Sequence, residues 1–347
     1  MRLTLFRFLR KSIQSCWGPP ARFLLMKSRA DVLKSIQAKI RLLHLAYSTE
    51  EAYCGWVGRY YDFCLKLPKA WSPERKAEAF LTYLAVNVGV AARTQNQALS
   101  ALLFLYDDVM GKPLGNIDAL RAKRPVHERT APSREQVRAL RAAVKDRPNV
   151  PARLLVDLLY GCGLRVSEPL ELRVKDVLWS ENQLVIRAAK GGKDRRVPIP
   201  KSCAEPLRAQ MERARLVWES DRKNSPAVGV NLPHQLARKY PGAPRLWQWF
   251  WIFPAANHCA HPRTRETVRY HILPDLIQRV VRDAARMTGA EGLITPHVLR
   301  HAYATHSRED IDALRELMGH TSILTTVGYK HPIVEKATNP LDDLLQG

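Results

Sequence analysis

Residues 183–200 read QLVIRAAKGGKDRRVPIP, and the reading of this stretch decides the fold. Gln183-Leu184-Val185-Ile186-Arg187 and Arg196-Val197-Pro198-Ile199-Pro200 have the short, β-branched character of strands, and Lys190-Gly191-Gly192-Lys193-Asp194 supplies the turn between them. On both sides, apart from a Pro- and Trp-rich segment near 226–264, apolar residues return at three- and four-residue spacing, the period of a helix. A small hairpin set among helices makes this domain α+β and mainly α, with one small β-sheet.

Working upstream, Ser133 stands where an N-cap belongs, with Gln136 completing a capping box and Val137 and Leu140 opening an apolar face. Before it, Lys123-Arg124-Pro125-Val126-His127-Glu128-Arg129-Thr130-Ala131-Pro132 is polar, basic and bracketed by prolines, as a linker is. From about Arg29 to Arg121 the pattern is helical throughout. The chain therefore divides into a basic extension over 1–29, an all-α domain over 30–122, a linker over 123–132 and the α+β domain over 133–347. The extension, with Arg2, Arg7, Arg10 and Lys11 breaking any uncharged apolar core, reads as a basic amphipathic arm or as sequence upstream of a working start at Met26, not as a signal peptide.

The composition, 46% hydrophobic and 25% charged over 347 residues, is that of an ordinary globular chain. Its charge is not: 55 Lys and Arg against 33 Asp and Glu give +22, which points to a polyanionic partner, nucleic acid first. The six cysteines form no CxxC pair, which fits a reducing cytoplasm. His258, Cys259 and His261 lack a second ligand pair at zinc-site spacing, so no structural metal is expected. No run of apolar residues reaches the length of a membrane span.

Three separated motifs carry chemistry. Gly161-Cys162-Gly163-Leu164-Arg165-Val166-Ser167-Glu168 ends one helix in glycines and presents Arg165, whose planar fork suits phosphate oxygens and equally suits Glu168 as a structural partner. Thr295-Pro296-His297-Val298-Leu299-Arg300-His301 places His297 and Arg300 at helical i, i+3 spacing. Leu317-Met318-Gly319-His320 ends a helix, and Thr325-Thr326-Val327-Gly328-Tyr329 begins another. Alone, each motif is commonplace. Together they offer positive clamps, acid and base groups and a nucleophile, the set that phosphoryl transfer needs.

In this order, Arg165, Lys190, His297, Arg300, His320 and Tyr329 resemble the catalytic pattern of the tyrosine recombinases, and the resemblance runs over roughly residues 30 to 347. It implies two domains closing as a C-shaped clamp around DNA, a helical core-binding domain and a catalytic domain. It implies a 3′-phosphotyrosyl link through Tyr329, Lys190 as acid for the leaving 5′ oxygen with Lys193 as its runner-up, and Glu168 orienting Arg165 or Lys190. No nucleotide cofactor or divalent metal is required on this scheme, and a homotetramer on paired DNA sites is expected.

Within that family the chain looks like the integron integrases. Thr94-Gln95-Asn96-Gln97-Ala98-Leu99-Ser100-Ala101-Leu102-Leu103-Phe104-Leu105-Tyr106 matches their helical domain, and Arg93, Thr94, Gln95 and Asn96 are candidate DNA contacts. A segment over about 226–257, with Leu232-Pro233-His234-Gln235-Leu236-Ala237-Arg238-Lys239 followed by Trp247-Gln248-Trp249-Phe250-Trp251, resembles the insert by which integron integrases differ from Xer-type relatives. There Arg238, Lys239, Trp247 and Trp249 are candidates for gripping an extrahelical base, while the same aromatics read singly as core around a short helix. The implied substrates are folded single-stranded attC-like hairpins and a duplex attI site.

Three alternatives stay open: a Xer- or phage-type recombinase on duplex sites, a type IB topoisomerase, which leaves the insert unexplained, and a DNA-binding relic. The last arises because Ser307-Arg308-Glu309-Asp310-Ile311 is about three residues shorter than the family's connection, which at 1.5 Å of helical rise per residue would displace His320 and Tyr329 by several ångströms. If the shortening falls in a loop, it is absorbed.

Overall fold

The computed structural model describes residues 28–115, 131–189, 193–232, 234–307 and 310–319. Most of the basic extension and of the linker, with Lys190, His320 and Tyr329, lie outside them. The chain separates into two compact units, Met1–Glu128 and Arg129–Gly347.

The first unit is all-helical among the described residues: α1 Arg29–Leu42, α2 Tyr47–Cys64, α3 Pro73–Thr82 and α4 Ala92–Leu103. Wider π turns, Tyr83–Asn87 and Phe104–Val109, extend α3 and α4. Ser28 and Ser72 cap α1 and α3 by accepting from the amides of Asp31 and Arg75. The core gathers Ile36, Ile40, Val57, Phe80, Leu81, Ala98 and Leu102, all at helical spacing. In its middle the Tyr60 and Tyr106 hydroxyls share a hydrogen bond of 2.8 Å, which satisfies two polar groups that packing has removed from water. Burial pushes the titration of both phenols upward.

The second unit opens with α5 Arg134–Ala143, and the expected capping box is present: Ser133 accepts from the Gln136 amide and Gln136 from the Ser133 amide. Then follow α6 Ala152–Gly161, the single turn α7 Ser167–Leu170, and the antiparallel sheet β1 Val177–Leu178, β2 Gln183–Ala189, β3 Lys193–Pro198. The hairpin is tighter than the sequence suggests. Ala189 already pairs with Lys193, because a register shift after Ile186 carries both strands further toward the turn.

The long α8 Lys201–Asn224 leads to β4 Gly229–Val230, α9 His234–Lys239, β5 Pro254–Ala260 and β6 Thr267–His271. β4, β5 and β6 form a second small sheet, ordered β4-β6-β5, in addition to the hairpin sheet that the sequence suggests. The helices α10 Pro274–Met287, α11 Pro296–His306 and α12 Ile311–Met318 complete the described part. At the centre α6, with Leu155, Leu158 and Leu159 fully buried, packs against α8, α10 and α11.

Two of the sequence's loop features now have definite roles. His258 bonds the Asp221 carboxylate at 2.9 Å, where Arg269 also forks onto it at 2.8 and 2.5 Å, so α8 is tied to the second sheet. The His261 ring instead accepts from the Thr264 amide within its own turn.

Candidate active site

Arg165 leaves the glycine-rich end of α6 just before α7. Gly163 has φ +59°, a left-handed turn, and a Cβ there would meet the Tyr303 ring at 2.3 Å, so only glycine lets α6 and α11 approach this closely. The Gly163 carbonyl that this turn exposes accepts from Arg300 at 2.6 Å, across 137 positions of chain.

Arg165 and Arg300 converge on Glu168. The carboxylate accepts from the Arg165 amide at 2.7 Å and from its guanidinium at 2.6 Å, and Arg300 stands 3.7 Å away. A third arginine, Arg195 on β3, forks onto the same carboxylate at 2.9 and 2.6 Å. Burial works to raise the Glu168 carboxyl. It is outweighed by the Arg195 fork, the Arg165 amide and the Arg300 charge, which hold the group below the usual carboxylate range.

The three guanidiniums also meet the C-terminus of α12. Arg195 donates to the Leu317 carbonyl at 2.7 Å, Arg300 to that of Met318 and Arg165 to that of Gly319 at 3.4 Å. These are carbonyls that a helix leaves without internal partners, and cations there also complement its dipole. Gly319 is the left-handed C′ residue at φ +61°, and His320 follows it in sequence.

His297 lies exposed on the first turn of α11, which Thr295 caps, and Arg300 lies one turn further on, buried. Of the six residues of the sequence pattern, the structure thus describes Arg165, His297 and Arg300. Lys190, His320 and Tyr329 lie outside the described residues, as does the side chain of Lys193. Glu168 is the junction, and Arg195, which the sequence reading did not single out, takes both of its oxygens. Period-2 alternation was the available signal: stepping back from Val197 puts Arg195 on the buried face of β3.

Ser307 is the C-cap of α11 and Asp310 the N-cap of α12; Arg308 and Glu309, within the stretch that the sequence reading takes as shortened, lie outside the described residues.

In the insert, Phe250 and Trp251 are buried in a cluster with Val230, Leu232 and Ala243. Trp247 and Trp249 are half-buried: Trp247 packs on Trp218 and Phe250, and Lys175 sits 3.2 Å from the Trp249 ring centre. Arg238 and Lys239 are exposed at the end of α9. The buried Arg173 fastens this cluster, donating to the carbonyls of Trp249 at 2.7 Å and Asn231 at 2.6 Å over the Trp251 ring; burial lowers its titration to about 10. In the helical unit Arg93 is exposed on the first turn of α4, beside half-buried Thr94 and Asn96. Gln95 is engaged internally, donating to the Leu81 carbonyl.

The described residues thus form a helical unit followed by an α+β unit in which three arginines from separate segments share one carboxylate. The chain belongs to the phage integrase family, the tyrosine recombinases: the family model matches residues 133–336, and that of the phage integrase N-terminal SAM-like domain matches residues 32–116. An integrase/recombinase of Escherichia coli is 38% identical over 307 residues, covering 86% of this chain and 89% of the relative. The tyrosine recombinase XerD of Agrobacterium fabrum is 31% identical over 299 residues, covering 81% and 80%. The fold is also that of the Tn1549 transposon integrase, solved in complex with transposon right end DNA, with a TM-score of 0.58 at 13% identity over 91% of this chain and 99% of that one.

Proposed function

We propose that this chain is an integron-type site-specific recombinase, integrating and excising gene cassettes on folded attC-like hairpins and a duplex attI site, as a tetramer in the cytoplasm. The observation that carries the reading is the junction at Glu168, where Arg165 and Arg300 meet beside the helix end that leads toward His320 and Tyr329.

In this mechanism Arg165 and Arg300 bind the non-bridging oxygens of the scissile phosphate and stabilise the charge that grows there, a contribution of several kcal/mol in comparable sites. The Tyr329 oxygen bonds to phosphorus as the bond to the 5′ oxygen breaks. His297 takes the tyrosine proton, Lys190 protonates the leaving oxygen, and His320 hydrogen-bonds the phosphate. A 5′-hydroxyl from the partner strand then attacks the phosphotyrosine, expels Tyr329 and returns the protons. The phosphodiester count is unchanged, so no nucleotide need be consumed. Arg93, Thr94 and Asn96 reach the duplex from α4, and Arg238, Lys239, Trp247 and Trp249 grip an extrahelical base at the insert.

The similarity to XerD favours a second reading, recombination on ordinary duplex sites with a purely structural insert. One experiment separates them. Wild type and Tyr329→Phe are incubated with nicked, labelled attC-like bottom strand, its complement and the duplex, then run on denaturing gels. A covalent adduct from wild type alone, on the folded bottom strand above all, supports the integron reading. Equal or better reaction on duplex moves the chain to the Xer-like reading, and binding without any adduct makes it a DNA-binding relic.

A further inference from the structure

Arg195 has no part in the mechanism above, yet its guanidinium makes three of the junction's hydrogen bonds. It sits opposite Ile186 on the buried face of β3 with its side chain 7% exposed. Both of its engagements are at places where a phosphate clamp must be rigid. Its fork takes both oxygens of Glu168, and its Nε holds the Leu317 carbonyl at the end of α12. A Cβ on Gly319 would lie 3.1 Å from the Arg195 side chain, so the helix end leaves little room for a side chain against the arginine.

Charge decides what this contact does. Glu168 is one carboxylate faced by three guanidiniums. With Arg195 in bidentate partnership, the charge of Glu168 is matched and the surplus is left on Arg165 and Arg300. Without it, the buried carboxylate would have only Arg165, already at 2.6 Å, and Arg300, at 3.7 Å, to pair with, and their charge would be taken up by it. We infer that Arg195 is a positioning residue of the recombination site: it neutralises Glu168 so that Arg165 and Arg300 keep their field for phosphate, and it fixes the α12 terminus. This rests on the reading given under Proposed function.

The test is single-turnover cleavage of a suicide substrate at saturating DNA, with Kd and thermal midpoint measured in parallel. Arg195→Lys retains a buried cation but not the fork, and Arg195→Met removes both. Both variants are expected to bind DNA within about threefold of wild type while cleaving roughly a hundredfold more slowly, the scale of a small misplacement at a reacting centre. Adding Glu168→Gln to Arg195→Met removes the unmatched carboxylate and should recover about tenfold of that loss, a coupling that a merely structural arginine would not show. Cleavage by Arg195→Lys near the wild-type rate overturns the inference, as does a double variant no better than Arg195→Met. If wild type itself forms no adduct, the proposed function fails and the inference with it. Adducts from wild type beside either contrary result overturn this inference alone.

Discussion

At the scale of single residues, Gly163 and Glu168 make the sharpest predictions. Gly163→Ala brings left-handed strain of about 1–2 kcal/mol together with a clash against Tyr303, and it displaces the carbonyl that Arg300 uses. A loss of at least about 2 kcal/mol in chemical denaturation is expected. Glu168 is held below the usual carboxylate range in the folded state, so the stability it contributes is present above the unfolded pKa and is lost as pH falls through the ordinary carboxylate range toward its lower folded value. Unfolding midpoints measured from pH 7 to 3 should therefore fall less steeply for Glu168→Gln than for wild type. Arg165 and Glu168 were legible as a pair because i, i+3 spacing limits what they can touch. Arg195 was not singled out because its partners are 27 and 122 positions away, and no local period reveals such distances.

Among the elements, α5 was readable almost to the residue, since a capping box is a local chemical arrangement. Ser133→Ala should cost about 1 kcal/mol in urea titration. The second sheet escaped the reading for the opposite reason. β5, PAANHCA, opens on a proline and carries no β-branched residue, and β4 is two residues long, so neither carries a strand signal of its own. Their pairing is imposed by tertiary partners, among them the contacts of Arg269 with Asp221 and with the carbonyls of Ala255 and Ala256. The fastening of the insert was equally invisible, because Arg173 looks like any basic residue until its burial is seen. Arg173→Ala leaves the carbonyls of Trp249 and Asn231 without this donor. It should loosen the insert, raising hydrogen exchange over residues 229–253 by about tenfold or more, corresponding to a lost buried pair of bonds.

For the whole molecule, the net charge of +22 governs association. Binding to any DNA site should weaken linearly on a log–log plot of affinity against salt, by three orders of magnitude or more between about 50 and 200 mM if six or more phosphates are neutralised. Fluorescence anisotropy at several salt concentrations measures the slope, and a flat dependence would refute a phosphate-dominated interface. The division into two units followed from composition and prolines; the docking of each unit's side chains did not, because that depends on distances set only when the chain is folded. The end of α12 is held by donors from three separate elements, the loop before α7, β3 and α11. A change in any one of those elements is therefore felt at that terminus, and conditional mutants that unlatch it can be sought in β3 or α11 as readily as in α12 itself.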